Sequence, residues 1–338
     1  MDFNLSEEQE MIYQYGTNLA KDFDRKYWTD CAERREFPTA MYQKVADDGF
    51  VGLMVPEAYG GAGLGMTEMV LFQEGLSNQG IPLLSLVVGA TMSLGPIGEH
   101  GTEEQKQKYL PAGCRGDIRF CFAITEPTAG TNTMKTNTMI RETGDGRYKL
   151  NGAKTFITDA GGSDYMLVVS RNKSFDEVDR KTDGFTILIV DRKAPGVSVQ
   201  PIDVSIPIPE LQYQVFFDDV DIGPEDVLGE VGKGFDILFE SLNPERIILA
   251  AVANGLGRYA MERAVEYAND RVVFNGPIGA YQALQHPLAK AKTEVEMSSL
   301  MTLKAASLFD KGEPCGAEAN MSKYSGAEAA MHAIDASL

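Results

Sequence analysis

Apolar residues recur with a helical period over residues 6–36, and Ser6 followed by Gln9 three positions on reads as a capping box at the start. A second helix is expected over residues 39–48. GFVGLMVPEAYGGAGLG (residues 49–65) is dense in glycine and broken by Pro56, so it reads as a loop. Two further helices are expected at residues 66–79 and 83–99. The second is almost wholly apolar between Leu83 and Met92, the pattern of a buried core helix. GTEEQKQKYLP (residues 101–111) predicts a short charged helix that Pro111 ends. From residue 117 to 226 the pattern shortens to β-type runs, namely RYKLNG, DYMLVVS, GFTILIVDR, VSVQPI and LQYQVFFDDVDI. Residues 173–182 form a charged loop between two of them. Helical spacing returns after residue 234, with Asn243-Pro244-Glu245-Arg246 opening a long helix, Pro244 in its first turn and Glu245 near the positive end of its dipole. A loop, RVVFNGPIGAYQ, leads to another helix with Pro287 in its first turn, and an uncapped helix runs to Leu338. The class is α+β in three parts: a helical domain (residues 1–116), a β-barrel-like domain (117–230) and an incomplete helical bundle (231–338).

Composition narrows the function classes. Of 338 residues, 43% are hydrophobic and 24% charged, as in an ordinary globular protein. A net charge of −18 argues against nucleic acid and against anionic membrane surfaces, but local cations can still hold a polyanionic ligand. Cys31, Cys114, Cys121 and Cys315 lack CxxC spacing and read as reduced cytoplasmic thiols. With His100, His286 and His332 far apart, no metal site is readable. The N-terminus resembles neither a secretory signal nor a transit peptide, and no apolar run is long enough for a membrane span.

Two stretches carry the candidate chemistry. FAITEPTAGTN (residues 122–132) is a strand that must stop or lie at an edge by Pro127. After it come Gly130, which admits close backbone approach, and the Thr125 and Thr131 hydroxyls. In LNGAKTFITDAGG (residues 150–162) an Asn-Gly turn leads into a strand ending at Thr158, with Phe156 on the same face. Two such strand ends suit a flat polar heterocycle, and each alone also reads as an ordinary β turn. NGLGRYA (residues 254–260) fits a dinucleotide fingerprint, but it lies within a helical period with no strand before it. Its small residues read as close helix packing.

TEPTAGT followed by NGAKTFIT resembles the flavin-cradling strands of the acyl-CoA dehydrogenase family, usually TEPGAGS and NGxKxWIT. Thr128 stands for the usual Gly, Thr131 for Ser, Asn132 for Asp and Phe156 for Trp. The glycine-rich loop, GTEEQKQKYLP and FDDVDIGPEDVLGEVGKGF also match, so the resemblance covers nearly the whole chain. It implies FAD, with Phe122, Ile124, Thr125, Gly130, Thr131, Phe156 and Thr158 at the flavin. Arg271, Phe274 and Gln282, in a motif like RxxFGxPIxxFQ, would serve the FAD of a neighbouring subunit in a homotetramer or homodimer. Glu245, in an ER pair as in isovaleryl- and long-chain-type members, would be the catalytic base. Asn243, Arg246 and Thr131 would meet the CoA ester, and Val88 and Met92 the acyl chain. The implied reaction is α,β-dehydrogenation of an acyl-CoA to the trans-2-enoyl-CoA, with electrons passing to an electron-transfer flavoprotein in a bacterial cytoplasm. The alternatives are an enoyl-CoA reductase or acyl-CoA oxidase on the same fold, or a non-catalytic CoA- or flavin-binding scaffold. Against the family pattern the chain is expected to be truncated, ending before a QxxGGxG stretch and one last helix.

Overall fold

A computed structural model describes residues 4–338, so the first three residues of the expected N-terminal domain lie outside it. Helix α1 (Glu7–Asn18) opens with the expected capping box. Gln9 N–H donates to Ser6 Oγ at 3.2 Å, and Gln9 Oε1 accepts from Ser6 N–H at 3.1 Å. The helix expected over residues 6–36 is broken, however. A 3-10 turn, Leu19–Lys21, precedes α2 (Arg25–Arg34), because Asp24 Oδ1 accepts the Tyr27 N–H at 2.8 Å and starts a new helix. Helix α3 (Thr39–Asp47) follows, and the glycine-rich stretch is irregular apart from one 3-10 turn. Gly61 is required there, since a Cβ would lie 2.0 Å from the Val55 carbonyl oxygen.

Helix α4 (Met66–Ser77) takes its N-terminal cap from Asp310, which accepts the Met66 and Thr67 N–H groups at 2.5 and 3.0 Å. The apolar run after it is not a plain α-helix. Leu86–Leu94 is π-helical and continues into α5 (Gly95–His100). Thr91 and Ser93 donate their hydroxyls to the carbonyls of Leu86 and Val88, five residues back, which suits the wider turn. Helix α6 (Glu103–Cys114) is capped by Thr102 and passes through Pro111 instead of ending there. Leu110, Gly113 and Cys114 are buried, and that packing outweighs the one hydrogen bond the proline forfeits.

Strands β1 (Phe120–Ala123), β2 (Met139–Gly144), β3 (Arg147–Thr158), β4 (Tyr165–Arg171), β5 (Phe185–Asp191), β6 (Val197–Ile202), β7 (Gln212–Ile222) and β8 (Val227–Leu228) form one mixed sheet. Its order is β6-β7-β3-β2-β4-β5-β8, with β1 parallel to β4. Strand β2 was not among the expected runs: only one of its six residues is fully buried, so its apolar signal is weak. The Asn151-Gly152 turn is also corrected. Both residues lie inside β3, where Gly152 (φ +149) sits at a bulge and a Cβ would meet Thr138 at 2.6 Å. The real β2–β3 turn is Gly144, Asp145 and Gly146, all at positive φ. Arg171, fully buried over the Phe185 ring, donates to the carbonyls of Met134, Lys173, Lys181 and Asp183 and so ties down the charged loop.

Helix α7 (Phe235–Asp270) begins eight residues before Asn243, so Pro244 and Glu245 lie in its interior and the expected first-turn placement does not hold. A short hairpin, β9 (Val272–Val273) and β10 (Gly276–Pro277), leads to α8 (Gln282–Asp310), where Pro287 is the sixth residue and past the first turn. Helix α9 is Gly316–Ser337. The expected close packing at NGLGRYA is present: a Cβ on Gly255 would meet Ser77, and one on Gly257 would meet Val295 and Ala330. By internal contacts the chain forms two compact units. One comprises residues 1–28, 65–83 and 243–338; the other comprises residues 29–64 and 84–242, including the sheet. No helix among the described residues is long and apolar enough to cross a membrane.

Candidate functional site

Strand β1 buries Phe122, and the chain leaves it with Ile124 and Thr125 half-buried. Glu126 and Ala129 then exchange backbone hydrogen bonds at 3.0 and 3.1 Å, closing a turn that leaves Pro127, Thr128, Gly130 and Thr131 exposed. Thr128 needs no glycine-like backbone, since its φ is not positive, and its hydroxyl accepts from Asn137 Nδ2 at 3.1 Å. A Cβ added to Gly130 would meet nothing within 4 Å, so the fold itself does not demand glycine there.

The end of β3 is shaped by a second bulge, between Lys154 and Ile157, opposite β7. Phe156 sits in it with φ +55, and its ring is 57% exposed. A bulky residue at positive φ costs about 1–3 kcal/mol and persists only where its surroundings enforce it. The bulge also removes the simple alternation by which Phe156 and Thr158 were expected to share a face. Thr155 N–H donates to Thr125 C=O at 2.9 Å, so the two candidate stretches are joined directly.

Beneath them lies a buried ion pair to which the sequence reading gave no role. Lys154 Nζ donates to Glu126 Oε1 at 2.8 Å and to the Ile124 carbonyl at 3.0 Å. Glu126 also accepts the N–H groups of Asn137 and Thr138 at 2.7 and 2.9 Å. Burial opposes the Glu126 charge, but Lys154 and these donors outweigh it and hold the carboxyl below its usual range. The signal was in the motifs themselves: TEP and NGAK each carry one charge amid apolar and small residues.

Thr158 closes β3, and its hydroxyl meets the Gln212 side chain, with Nε2 to Oγ1 at 3.0 Å. Asp159, next in the chain, is buried at φ +57 with its N–H donating to Leu211 C=O. Burial pushes its carboxyl up to about 6 against the pull of Arg119, whose Nε lies 3.5 Å away. Val88 and Met92 both lie on the π-helical stretch, Val88 half-buried and Met92 buried.

The remaining candidates belong to the other compact unit. Asn243 Oδ1 accepts from Arg246 Nη1 at 3.1 Å on α7. Glu245 beside them is partly buried. Burial raises its pKa, opposed by Arg246 and Lys323, so desolvation and not a helix dipole tunes this carboxyl. Arg271, Phe274 and Gln282 are all exposed. Phe274, 90% exposed at φ +59, forms the tip of the β9–β10 hairpin. Among the described residues no ion pair holds Arg271, and no cluster has the groups to bind a metal ion.

The open space above Gly130, the displayed Phe156 ring and the hydroxyls of Thr131 and Thr158 fit a flavin ring. Three family models match in order: the N-terminal domain of acyl-CoA dehydrogenase over residues 6–117, the middle domain over 121–220 and the C-terminal domain over 232–338. The acyl-CoA dehydrogenase FadE12 of Mycobacterium tuberculosis is 39% identical over 98% of this chain and 84% of its own. A 3-(aryl)acrylate reductase of Clostridium sporogenes is 35% identical over 98% of this chain and 88% of its own. The structure of butyryl-CoA dehydrogenase from Megasphaera elsdenii superposes with a TM-score of 0.93, at 29% identity over 98% of this chain and 87% of that one. The chain therefore belongs to the acyl-CoA dehydrogenase family, whose members are FAD-dependent oxidoreductases.

Proposed function

We propose that the protein carries out α,β-dehydrogenation of an acyl-CoA thioester to the trans-2-enoyl-CoA. The observation that carries this reading is the pair of strand ends, knit through Thr155 and Thr125 over a buried ion pair, with an aromatic ring and hydroxyls displayed. Phe122, Ile124, Thr125, Gly130, Thr131, Phe156 and Thr158 would hold the flavin, and FAD, when bound, supplies the acceptor for the hydride from the substrate β carbon. Glu245 takes the α proton. A thioester α proton is weakly acidic, so the base must be stronger than a carboxylate in water, and burial raises Glu245 in that direction. Asn243, Arg246 and Thr131 would bind the CoA ester, and Val88 and Met92 the acyl chain. Arg271, Phe274 and Gln282, exposed on and beside the hairpin, would meet the FAD of a neighbouring copy, making the working form a homodimer or homotetramer. Electrons would pass to an electron-transfer flavoprotein. The domain division belongs to the same reading: 1–116, 117–230 and 231–338.

Anaerobic bleaching of the bound flavin by acyl-CoAs of differing length, branching and polarity tests the reading. One series should bleach rapidly, and Glu245→Gln should cut that rate about 10²–10⁴-fold with acyl-CoA binding retained. Ordinary bleaching by the variant would remove Glu245 from the role. The reverse reaction, reduction of an enoyl-CoA, is favoured by one observation, the 35% identical 3-(aryl)acrylate reductase. Faster reoxidation of reduced flavin by an aryl-substituted enoyl-CoA than by any simple one would select it.

A further inference from the structure

Thr158 and Gln212 face each other as an antiparallel pair, the last residue of β3 opposite the first of β7. Gln212 Nε2 lies 3.0 Å from Thr158 Oγ1, and Gln212 Oε1 lies 3.3 Å from the same atom. The two contacts are unequal. A separation of 3.0 Å is ordinary for N–H···O, while 3.3 Å exceeds the roughly 2.5–3.0 Å of O–H···O. The amide's donation to the Thr158 oxygen is the stronger contact, and the hydroxyl's own donation to Gln212 Oε1 is long and weak, readily given up to a better acceptor. A threonine hydroxyl has one proton and two lone pairs, so with a lone pair engaged its proton is left to be donated elsewhere. Among the described residues no other acceptor lies within reach of it. Asp159 N–H to Leu211 C=O at 2.8 Å fixes the backbone beside the pair, so the two side chains are held in register.

We propose that Gln212 is a positioning residue: by donating to Thr158 it fixes the Thr158 hydroxyl as a donor toward the flavin ring, and so raises the reduction potential of the bound cofactor. This rests on the reading of Thr158 as flavin-facing. A preplaced donor stabilises an electron-accepting ring more as negative charge builds on it, and it costs no reorganisation at that moment. Replacing the amide with an apolar side chain frees the hydroxyl to rotate. Replacing it with a carboxylate reverses the polarity, because an ionised carboxylate only accepts and would capture the Thr158 proton.

The test is the midpoint potential of the purified holoprotein, measured by dye equilibration, with the visible flavin spectrum as a second readout. Gln212→Met should shift the reduction equilibrium about tenfold toward oxidised flavin, about 30 mV for a two-electron couple. Thr158→Val should shift it at least as far, and the double variant no further than Thr158→Val alone. Gln212→Glu preserves the shape of the side chain, so it serves if the methionine variant folds poorly. Its charge acts with or without the hydroxyl, so the quantity read is how much of its effect disappears in the Thr158→Val background. A potential lowered by Thr158→Val but unmoved by Gln212→Met, or Gln212 effects that persist undiminished without the hydroxyl, would overturn the proposal and leave Thr158 at the flavin. An unchanged potential and spectrum in Thr158→Val would instead overturn the reading on which it rests.

Discussion

Lys154 and Arg258 are both cations paired with a buried glutamate, Lys154 fully buried and Arg258 half-buried, and they are set in opposite kinds of backbone. Lys154 and its partner Glu126 spend most of their hydrogen bonds on irregular main chain: the Ile124 carbonyl and the N–H groups of Asn137 and Thr138. No strand ladder serves those groups, so the charges take its place. Arg258 lies in a regular helix whose backbone is already satisfied, and all its bonds go to side chains. It donates to Glu74 on α4 at 3.0 Å and, on α8, to both carboxylate oxygens of Glu296 and to the Ser299 hydroxyl. The first network shapes a turn that displays a candidate ligand surface, while the second fixes which faces of three helices meet. A buried ion pair is by itself weak evidence for stability, so what each pair organises matters more than its strength.

The comparison breaks most readily at Lys154. Lys154→Met leaves Glu126 buried without its cation, which costs about 3–5 kcal/mol. The loss should appear as a lower unfolding midpoint, together with a raised FAD dissociation constant as the 124–138 segment loosens. Arg258→Met strands Glu74 and should destabilise comparably, yet leave FAD affinity unchanged after correction for the unfolded fraction. Equal loss of FAD from both variants would erase the distinction.

The two stretches proposed to face the flavin stand out in the sequence because each is contiguous: in the first, the strand, the proline stop and the displayed hydroxyls all lie within about a dozen residues of chain. What held them was not. Lys154 and Glu126 are 28 residues apart, and only the sheet brings Nζ to Oε1. Gln212 is farther still from Thr158, at 54 residues. Helix boundaries failed where a polar side chain competed with a continuous apolar period, as at Asp24, or where tertiary packing overrode a proline, as at Pro111, Pro244 and Pro287. The misplacement of Glu245 followed from the last of these. Read as a first-turn residue it took its tuning from a dipole, whereas in the interior of α7 it takes it from burial.

A third buried glutamate sharpens the contrast, because it has no cation. Glu210 is fully buried, with Oε1 accepting the Ser85 N–H at 3.2 Å and Oε2 unpartnered among the described residues. Burial pushes its pKa up to about 7, and Asp159 adds to the shift. A folded-state value above the ordinary 4.5 means that the folded protein binds more protons between those pH values. Its unfavourable contribution is therefore absent below about pH 4.5, grows as pH rises and is complete above about 7, reaching at most about 3 kcal/mol. Glu210→Gln should flatten the fall in stability between pH 5 and 8, read from urea midpoints. A residual slope should persist from Asp159, whose raised pKa of about 6 acts in the same direction. An undiminished slope in the variant would mean that Glu210 keeps its charge at every pH tested.

The smallest effect concerns how closely α7 approaches the helices that Arg258 bridges. Gly255 and Gly257 lie two residues apart on α7, and alanine at either gains about 1 kcal/mol of helix propensity. They differ in what the new methyl group meets. At Gly255 it would lie 2.5 Å from Ser77 Cβ and 2.6 Å from the Glu74 carbonyl oxygen. Neither can yield without moving α4, and overpacking of this kind costs about 1–3 kcal/mol. At Gly257 the nearest atoms are Val295 Cγ2 at 3.1 Å and Ala330 Cα at 3.3 Å, and shifts of a few tenths of an ångström relieve both. Gly257→Ala should therefore be close to neutral, and Gly255→Ala should lose up to about 2 kcal/mol net. Because Glu74 contributes both the crowded carbonyl and the carboxylate that Arg258 grips, the Gly255 penalty should shrink in an Arg258→Met background, where α4 is free to shift. A double-mutant cycle on urea midpoints reads this directly, and strict additivity would show that helix spacing is set by the small residues alone, without help from the buried charges.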